Sequence, residues 1–268
     1  MDANAVELKV VEEIAREAGA IALKYFGKIK EPQTSIKEDG TLLTVADMEV
    51  NEFLMRRLRE TFPQFEILSE EVKGMPTSNS MWIIDPIDGT KNFAAGNSLF
   101  GISIGLLMNG VLELGIVYAP AENKLYSAKR GFGAFLNGEK ISVSSCDTPH
   151  GARVLLDNGA SEKTLRMHGS IREECVALDS LVESKMSASV EICQVAAGEA
   201  DVMTHRGLNA WDIAGGMVVA SEAGALITNF SGGEKDIFKQ GIVVATPKIH
   251  DAIVAVTKKI EADELARG

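Results

Sequence analysis

Apolar residues recur at helical spacing over residues 5–27, at Val6, Val10, Ile14, Ala18, Ile21, Ala22 and Tyr25, and this predicts an amphipathic helix. Residues 31–43 are mostly polar and contain Gly40, as a loop would. Thr44 then stands as an N-cap, with Thr44-x-x-Asp47 reading as a capping box and Val50, Phe53, Leu54 and Leu58 on one face of the next helix. Phe65–Leu68 and Met81–Ile84 are short apolar runs that predict strands. A β-meander is expected over 99–136, with strands Phe100–Met108, Val111–Tyr118, Lys124–Ala128 and Ala134–Leu136. Its clearest turn is Asn109-Gly110, a tight-hairpin pair between two apolar runs. Beyond residue 150 strands and helices alternate: strands at Arg153–Leu156, Cys175–Leu178, Val202–Thr204, Ala225–Thr228 and Ile242–Ala245, and helices near 187–198, 212–223 and 249–262. The pattern predicts an α/β (α+β) chain. It divides into an N-terminal α+β half, 1–148, and a C-terminal α/β half, 149–268.

Composition narrows the class without choosing a function. At 268 residues and 46% hydrophobic content the chain can bury a sizeable core without staples. A net charge of −11 argues against a surface that wraps nucleic acid, so no nucleic-acid partner is expected. Cys146, Cys175 and Cys193 are odd in number and widely spaced, which fits neither a disulfide framework nor a zinc site and points to a reducing, cytoplasmic setting. The start, Met1-Asp2-Ala3-Asn4, does not read as a signal peptide, and no apolar run is long enough for a membrane span. His150 and His168 read as surface residues, and Cys193 as core.

The chemistry sits where acidic residues fall at element ends. Asp85-Pro86-Ile87-Asp88-Gly89-Thr90 closes the Met81–Ile84 run with two carboxylates three positions apart, a stiff proline link and a glycine that permits close approach of a ligand. Asp47, Glu70-Glu71 and Asp212 occupy comparable places. Taken singly, these others have plain readings: a helix cap, a solvated turn, an acid at the positive end of a helix. Crowded together they would repel, by roughly 4 kcal/mol for two unit charges ~4 Å apart at an effective dielectric of 20. A hard divalent cation such as Mg²⁺ relieves that repulsion, because it takes oxygen ligands.

Asp85-Pro86-Ile87-Asp88-Gly89-Thr90-Lys91-Asn92-Phe93, Glu70-Glu71, Trp211-Asp212-Ile213-Ala214-Gly215 and Thr44-x-x-Asp47 after Lys37 resemble, in order and spacing, the inositol monophosphatase family of Mg²⁺-dependent, lithium-sensitive phosphatases. The likeness covers nearly the whole chain; its first motif is highly specific and the Trp-Asp motif moderately so. The resemblance implies a layered α-β-α-β-α sandwich of the sugar phosphatase type, a homodimer, and two or three Mg²⁺ ions per site. Glu70, Asp85 and the Ile87 carbonyl would hold one ion; Asp85, Asp88 and Asp212 a second; Glu70 would help with a third. Thr90 and Asp47 would orient and deprotonate the attacking water, and Gly89 and Thr90 N–H groups would cradle the phosphate. Asp88, Asp212, His205 and Arg206 complete the substrate side. The family's animal inositol phosphatases place an inositol-contacting glutamate where this chain has His205, followed by Arg206. Together with Lys91 and Lys185 these residues could meet a second phosphate. The substrate expected is therefore a small phosphomonoester, most simply inositol monophosphate. Fructose 1,6-bisphosphate (alone or as a dual activity), 3′-phosphoadenosine 5′-phosphate and histidinol phosphate remain open, as does a non-catalytic regulator on the same fold. The loop at Lys37-Glu38-Asp39-Gly40 would be a mobile lid by resemblance and an ordinary surface loop by composition.

Overall fold

A computed structural model describes residues 6–28, 34–36, 42–72, 74, 77–159 and 161–267. The segment Lys37–Gly40, expected either as a lid or as an ordinary surface loop, lies outside them. In chain order the elements are α1 (Leu8–Tyr25), β1 (Thr34–Ile36), β2 (Leu42–Thr44), α2 (Val45–Thr61), β3 (Glu66–Ser69), β4 (Met81–Asp88), α3 (Thr90–Ala95), β5 (Gly101–Met108), β6 (Val111–Ala119), β7 (Lys124–Lys129), β8 (Ala134–Leu136) and β9 (Glu139–Ile141). There follow β10 (Arg153–Leu155), α4 (Glu162–Ala177), β11 (Leu181–Glu183), α5 (Ala188–Ala196), β12 (Val202–His205), α6 (Ala210–Glu222), β13 (Leu226–Thr228), β14 (Ile242–Ala245) and α7 (Pro247–Arg267). The fold is mixed α/β, as the hydrophobic pattern predicts.

Two compact units emerge. The first gathers the chain up to Lys140 with Met186–Val190 and Trp211–Val219. Its frame is a seven-stranded sheet in the order β3-β4-β5-β6-β7-β8-β9. Strand residues alternate between faces. On β5 and β6, Ile102, Ile104, Leu106, Leu114, Ile116 and Tyr118 join Val11, Ile14 and Ala18 of α1 and Val50, Leu54 and Leu58 of α2 in one core. Trp82 anchors that core between Phe62 (centroids 5.2 Å apart) and Phe65 (6.1 Å, edge-on). The opposite face is nearly bare at Gly105 and Gly115, and α6 packs there. A Cβ on Gly105 would lie 2.6 Å from Ala214 Cβ, and one on Gly115 would lie 2.2 Å from the Gly215 carbonyl. The meander turn at Asn109-Gly110 has φ +50° and +80°, the left-handed pair a tight hairpin requires.

The second unit holds Ile141–Lys185, Glu191–Ala210 and the residues from Ala220 onward. Its five-stranded sheet has the order β11-β10-β12-β14-β13, parallel from β11 to β12 and antiparallel at β14. Met167, Ile171 and Cys175 of α4 and Ile249, Ile253 and Val256 of α7 close its core over Val154, Val202 and Val243.

Four expectations change. The stretch 31–43, expected as a loop, contains β1 and most of β2, which pair antiparallel. Cys175–Leu178 is not a strand; its first three residues end α4, whose buried positions Met167, His168, Ile171 and Cys175 follow helical spacing. A short apolar run fits a buried helix end as well as a strand. His168 is not at the surface: it is 2% exposed. β4 runs four residues past Ile84, through the acidic motif itself. The three cysteines are free, and Cys193 is buried.

Candidate active site

The end of β4 explains how Asp85 and Asp88 come to share a face. Residues three apart on a regular strand point to opposite sides. Here Asp85 pairs with Ser103 and Asp88 with Gly101, so β4 carries one residue more than β5 over the same stretch. That bulge reverses the parity and turns both carboxylates to one side. Pro86 lacks the N–H a ladder would use there. Asp85 Oδ1 accepts the Ile87 N–H at 3.0 Å, which stiffens the turn. Gly89 follows at φ +85°, and a Cβ there would lie 3.1–3.2 Å from Met186 O, Ser187 Cβ and Leu99 O.

Asp212 arrives from far along the chain. It lies in the first turn of α6, which the glycine seat presses onto the sheet, and Ser103 Oγ donates to the Trp211 carbonyl at 3.2 Å. Asp85, Asp88 and Asp212 each present an oxygen, all within 4.8 Å of one another. Glu70 follows β3, with its N–H bonded to the Ile84 carbonyl at 3.3 Å, and its carboxyl hydrogen-bonds with that of Asp85. Asp47 is fully buried and works at both ends. Oδ2 accepts the Thr44 N–H (2.9 Å) and Oγ (2.5 Å) in the capping box, while Oδ1 lies 3.4 Å from Thr90 Oγ. The Ile87 carbonyl lies 3.0 Å from Thr90 Oγ, so the one hydroxyl proton has two alternative acceptors, Ile87 O and Asp47 Oδ1.

Burial sets the electrostatics. Asp85 is 1% exposed and its carboxyl is held well above the usual carboxylate range, first by desolvation, then by the charges of Glu70, Asp88 and Asp212. Asp88, 7% exposed, is pushed up to about 6 by desolvation, against the hydrogen bonds of Ser189 and Ser187 that favour its ionised form. Repelling, water-stripped carboxylates are the environment a hard cation corrects. Oxygens across an Mg²⁺ ion stand about 4 Å apart, since each bond is about 2.1 Å. The observed cluster has the oxygen donors and the spacing for such an ion.

His205 and Arg206 belong to the second unit, where both side chains are engaged. His205 is 8% exposed and packs edge-on to His168 with ring centroids 4.4 Å apart. Arg206 pairs with Glu261 and lies over the Phe230 ring. Lys185 pairs with Glu183 at 3.1 Å, and Lys91 is exposed. Ser187 and Ser189, neither of which the sequence marks as a site residue, both bond Asp88. No local signal marks them, because they lie about a hundred residues along the chain from their partner.

The sequence matches the inositol monophosphatase family over residues 4–262. It is 32% identical over 264 residues to human inositol monophosphatase 1, covering 95% of this chain and 94% of that protein. A fructose-1,6-bisphosphatase/inositol-1-monophosphatase of Thermotoga maritima is 32% identical over 252 residues, covering 92% and 94%. The solved Thermotoga maritima IMPase superposes with a TM-score of 0.87 at 30% identity, covering 96% of this chain and 98% of that one. With its acidic cluster and these relatives, the chain belongs to the metal-dependent inositol monophosphatase family and is a phosphatase.

Proposed function

We propose that this phosphatase hydrolyses a small phosphomonoester, most simply inositol monophosphate, with Mg²⁺ as its cation. The observation that carries the reading is the buried meeting of Asp85, Asp88 and Asp212 within 4.8 Å, beside Glu70. Glu70, Asp85 and the Ile87 carbonyl would hold one ion, Asp85, Asp88 and Asp212 a second, and Glu70 would share in a third. When bound, Mg²⁺ supplies charge neutralisation and lowers the pKa of a water. The chain supplies the rest. Thr90 Oγ receives the proton of the attacking water and passes its own toward Asp47 Oδ1, 3.4 Å away. The N–H groups of Gly89 and Thr90, at the start of α3, face the phosphoryl oxygens. Asp47 stays aimed because the Thr44 cap occupies its other oxygen.

The name of the Thermotoga maritima relative favours fructose 1,6-bisphosphate as a second substrate. Phosphate release from inositol monophosphate, fructose 1,6-bisphosphate, 3′-phosphoadenosine 5′-phosphate and histidinol phosphate, each with Mg²⁺, tests the reading. The highest kcat/KM is expected on inositol monophosphate, and no release from any of the four would overturn it. A homodimer, inhibition by lithium and a cytoplasmic setting belong to the same reading. The first predicts a solution mass twice the chain's 28.7 kDa.

A further inference from the structure

The two oxygens of Asp88 are not equivalent. Oδ2 receives Ser189 Oγ at 2.6 Å, Ser187 Oγ at 2.7 Å and the Ser189 N–H at 2.8 Å. A carboxylate oxygen offers about two lone pairs, so three short donors saturate it. Both serines are buried, so water does not stand in for their hydroxyls. Ser189 lies in the first turn of α5, where the N–H has no acceptor inside the helix, and Asp88 supplies one from another segment.

The surrounding backbone is built to let the serines come this close. A Cβ on Gly101 of β5 would stand 2.9 Å from Val190 Cγ2 and 3.2 Å from Ser189 Oγ. One on Gly89 would stand 3.1 Å from Ser187 Cβ. Asn92 Nδ2, 2.7 Å from the Leu99 carbonyl and 3.4 Å from that of Met186, ties the residue before Ser187 to α3. Two bare glycines and an asparagine thus hold the serine segment against the end of β4.

We propose that Ser187 and Ser189 are positioning residues that fix the rotation of the Asp88 carboxylate and leave Oδ1 alone to the divalent cation, making Asp88 a monodentate ligand. The inference rests on the Mg²⁺ reading of the site. Groups that orient a ligand from behind typically change metal affinity by about 10–100-fold when removed.

Calorimetric titration of Mg²⁺ into the native protein and the Ser187→Ala/Ser189→Ala double variant tests it, with the fold of each checked by circular dichroism. The native protein is expected to bind, and the folded double variant to bind about 10–100-fold more weakly. Ser187→Thr, which keeps a hydroxyl, is expected to retain the native Kd. A purely structural role would lower the melting temperature in chelator and leave the Kd unmoved. Native binding with a double-variant Kd within twofold of it overturns this inference and leaves the Mg²⁺ reading standing. Absence of binding by the native protein overturns both. Should the double variant fail to fold, Ser187→Ala, which removes one donor of three, decides by the same twofold criterion.

Discussion

In the first unit Asp85, Asp88 and Asp212 gather three carboxylates beside Glu70; in the second, His168 and His205 stack edge to face with both rings pushed toward the neutral form. Both places bury titratable groups. The histidines shed charge to do so. His168 accepts the Arg206 N–H at Nε2 (2.9 Å) and so carries its proton on Nδ1, toward the Asp157 carbonyl at 2.6 Å. The Nδ1 of His205 is buried with no hydrogen-bond partner among the described residues, and burial brings its pKa down to about 3. The carboxylates are instead pressed together on a bulged strand end, beside a helix seated on glycines. Burial answered by neutrality builds a core; burial that accumulates like charge demands a cation from outside.

The largest effect should come from Asp85→Asn. It removes the acid common to both proposed cation sets, and turnover should fall by about 10³-fold or more, equivalent to about 4 kcal/mol of transition-state stabilisation. The metal-free melting temperature should hold or rise, because one of several repelling charges is gone. Steady-state kinetics in excess Mg²⁺ check this, and near-native activity would sink the assignment.

Gly115→Ala strikes the seat rather than the ligands. Its Cβ would meet the Gly215 carbonyl at 2.2 Å, so α6 must shift and carry Asp212 with it. A stability loss of about 1–3 kcal/mol in urea unfolding is expected, with a weaker apparent affinity for Mg²⁺.

The two regions should also answer pH with opposite signs. His205 has its folded pKa lowered from 6.5 to about 3. The unfolded chain therefore binds the extra proton between those values, and stability falls as pH drops through the window, by up to about 1.4 kcal/mol per pH unit. Asp88 has its folded pKa raised from 3.8 to about 6, so the folded protein holds the extra proton and stability falls as pH rises through that window. Urea midpoints from pH 4 to 7 in chelator read the two regions together, with the raised Asp85 adding to the Asp88 slope and the lowered His168 adding to the His205 slope. Saturating Mg²⁺ should abolish the Asp88 contribution and leave the His205 slope intact; identical profiles with and without Mg²⁺ would break the contrast.

The smallest effect is expected from Arg206→Gln. Its ion pair with Glu261 is partly exposed, and such pairs contribute about 0–1 kcal/mol. Turnover of inositol monophosphate should stay within about twofold. A tenfold rise in KM would instead place Arg206 at the substrate.

Much of this was legible in the chain before folding. The Thr44 cap, the α2 face and the Asn109-Gly110 hairpin are local signals, and each holds. Among the acids at element ends only the Asp85–Asp88 pair is a local signal; that Asp212 and Glu70 join it needs the fold. The rest depends on contacts between distant segments. The parity switch at Asp85–Asp88 appears only in the register with β5. The serine clamp and the glycine seat join residues about a hundred positions apart. α4 was obscured because its polar first turns hide the helical period, and its apolar end reads as a strand. β1, β2, β9 and β11, three residues each, were not foreseen, although β8, β10 and β13 of the same length were.

The most direct test of the central claim is an anomalous-scattering map from a crystal of the protein grown with Mn²⁺ in place of Mg²⁺. The account predicts at least one strong anomalous peak within coordinating distance of the Asp85, Asp88 and Asp212 carboxylates. A well-ordered site in saturating Mn²⁺ with no such peak would contradict it.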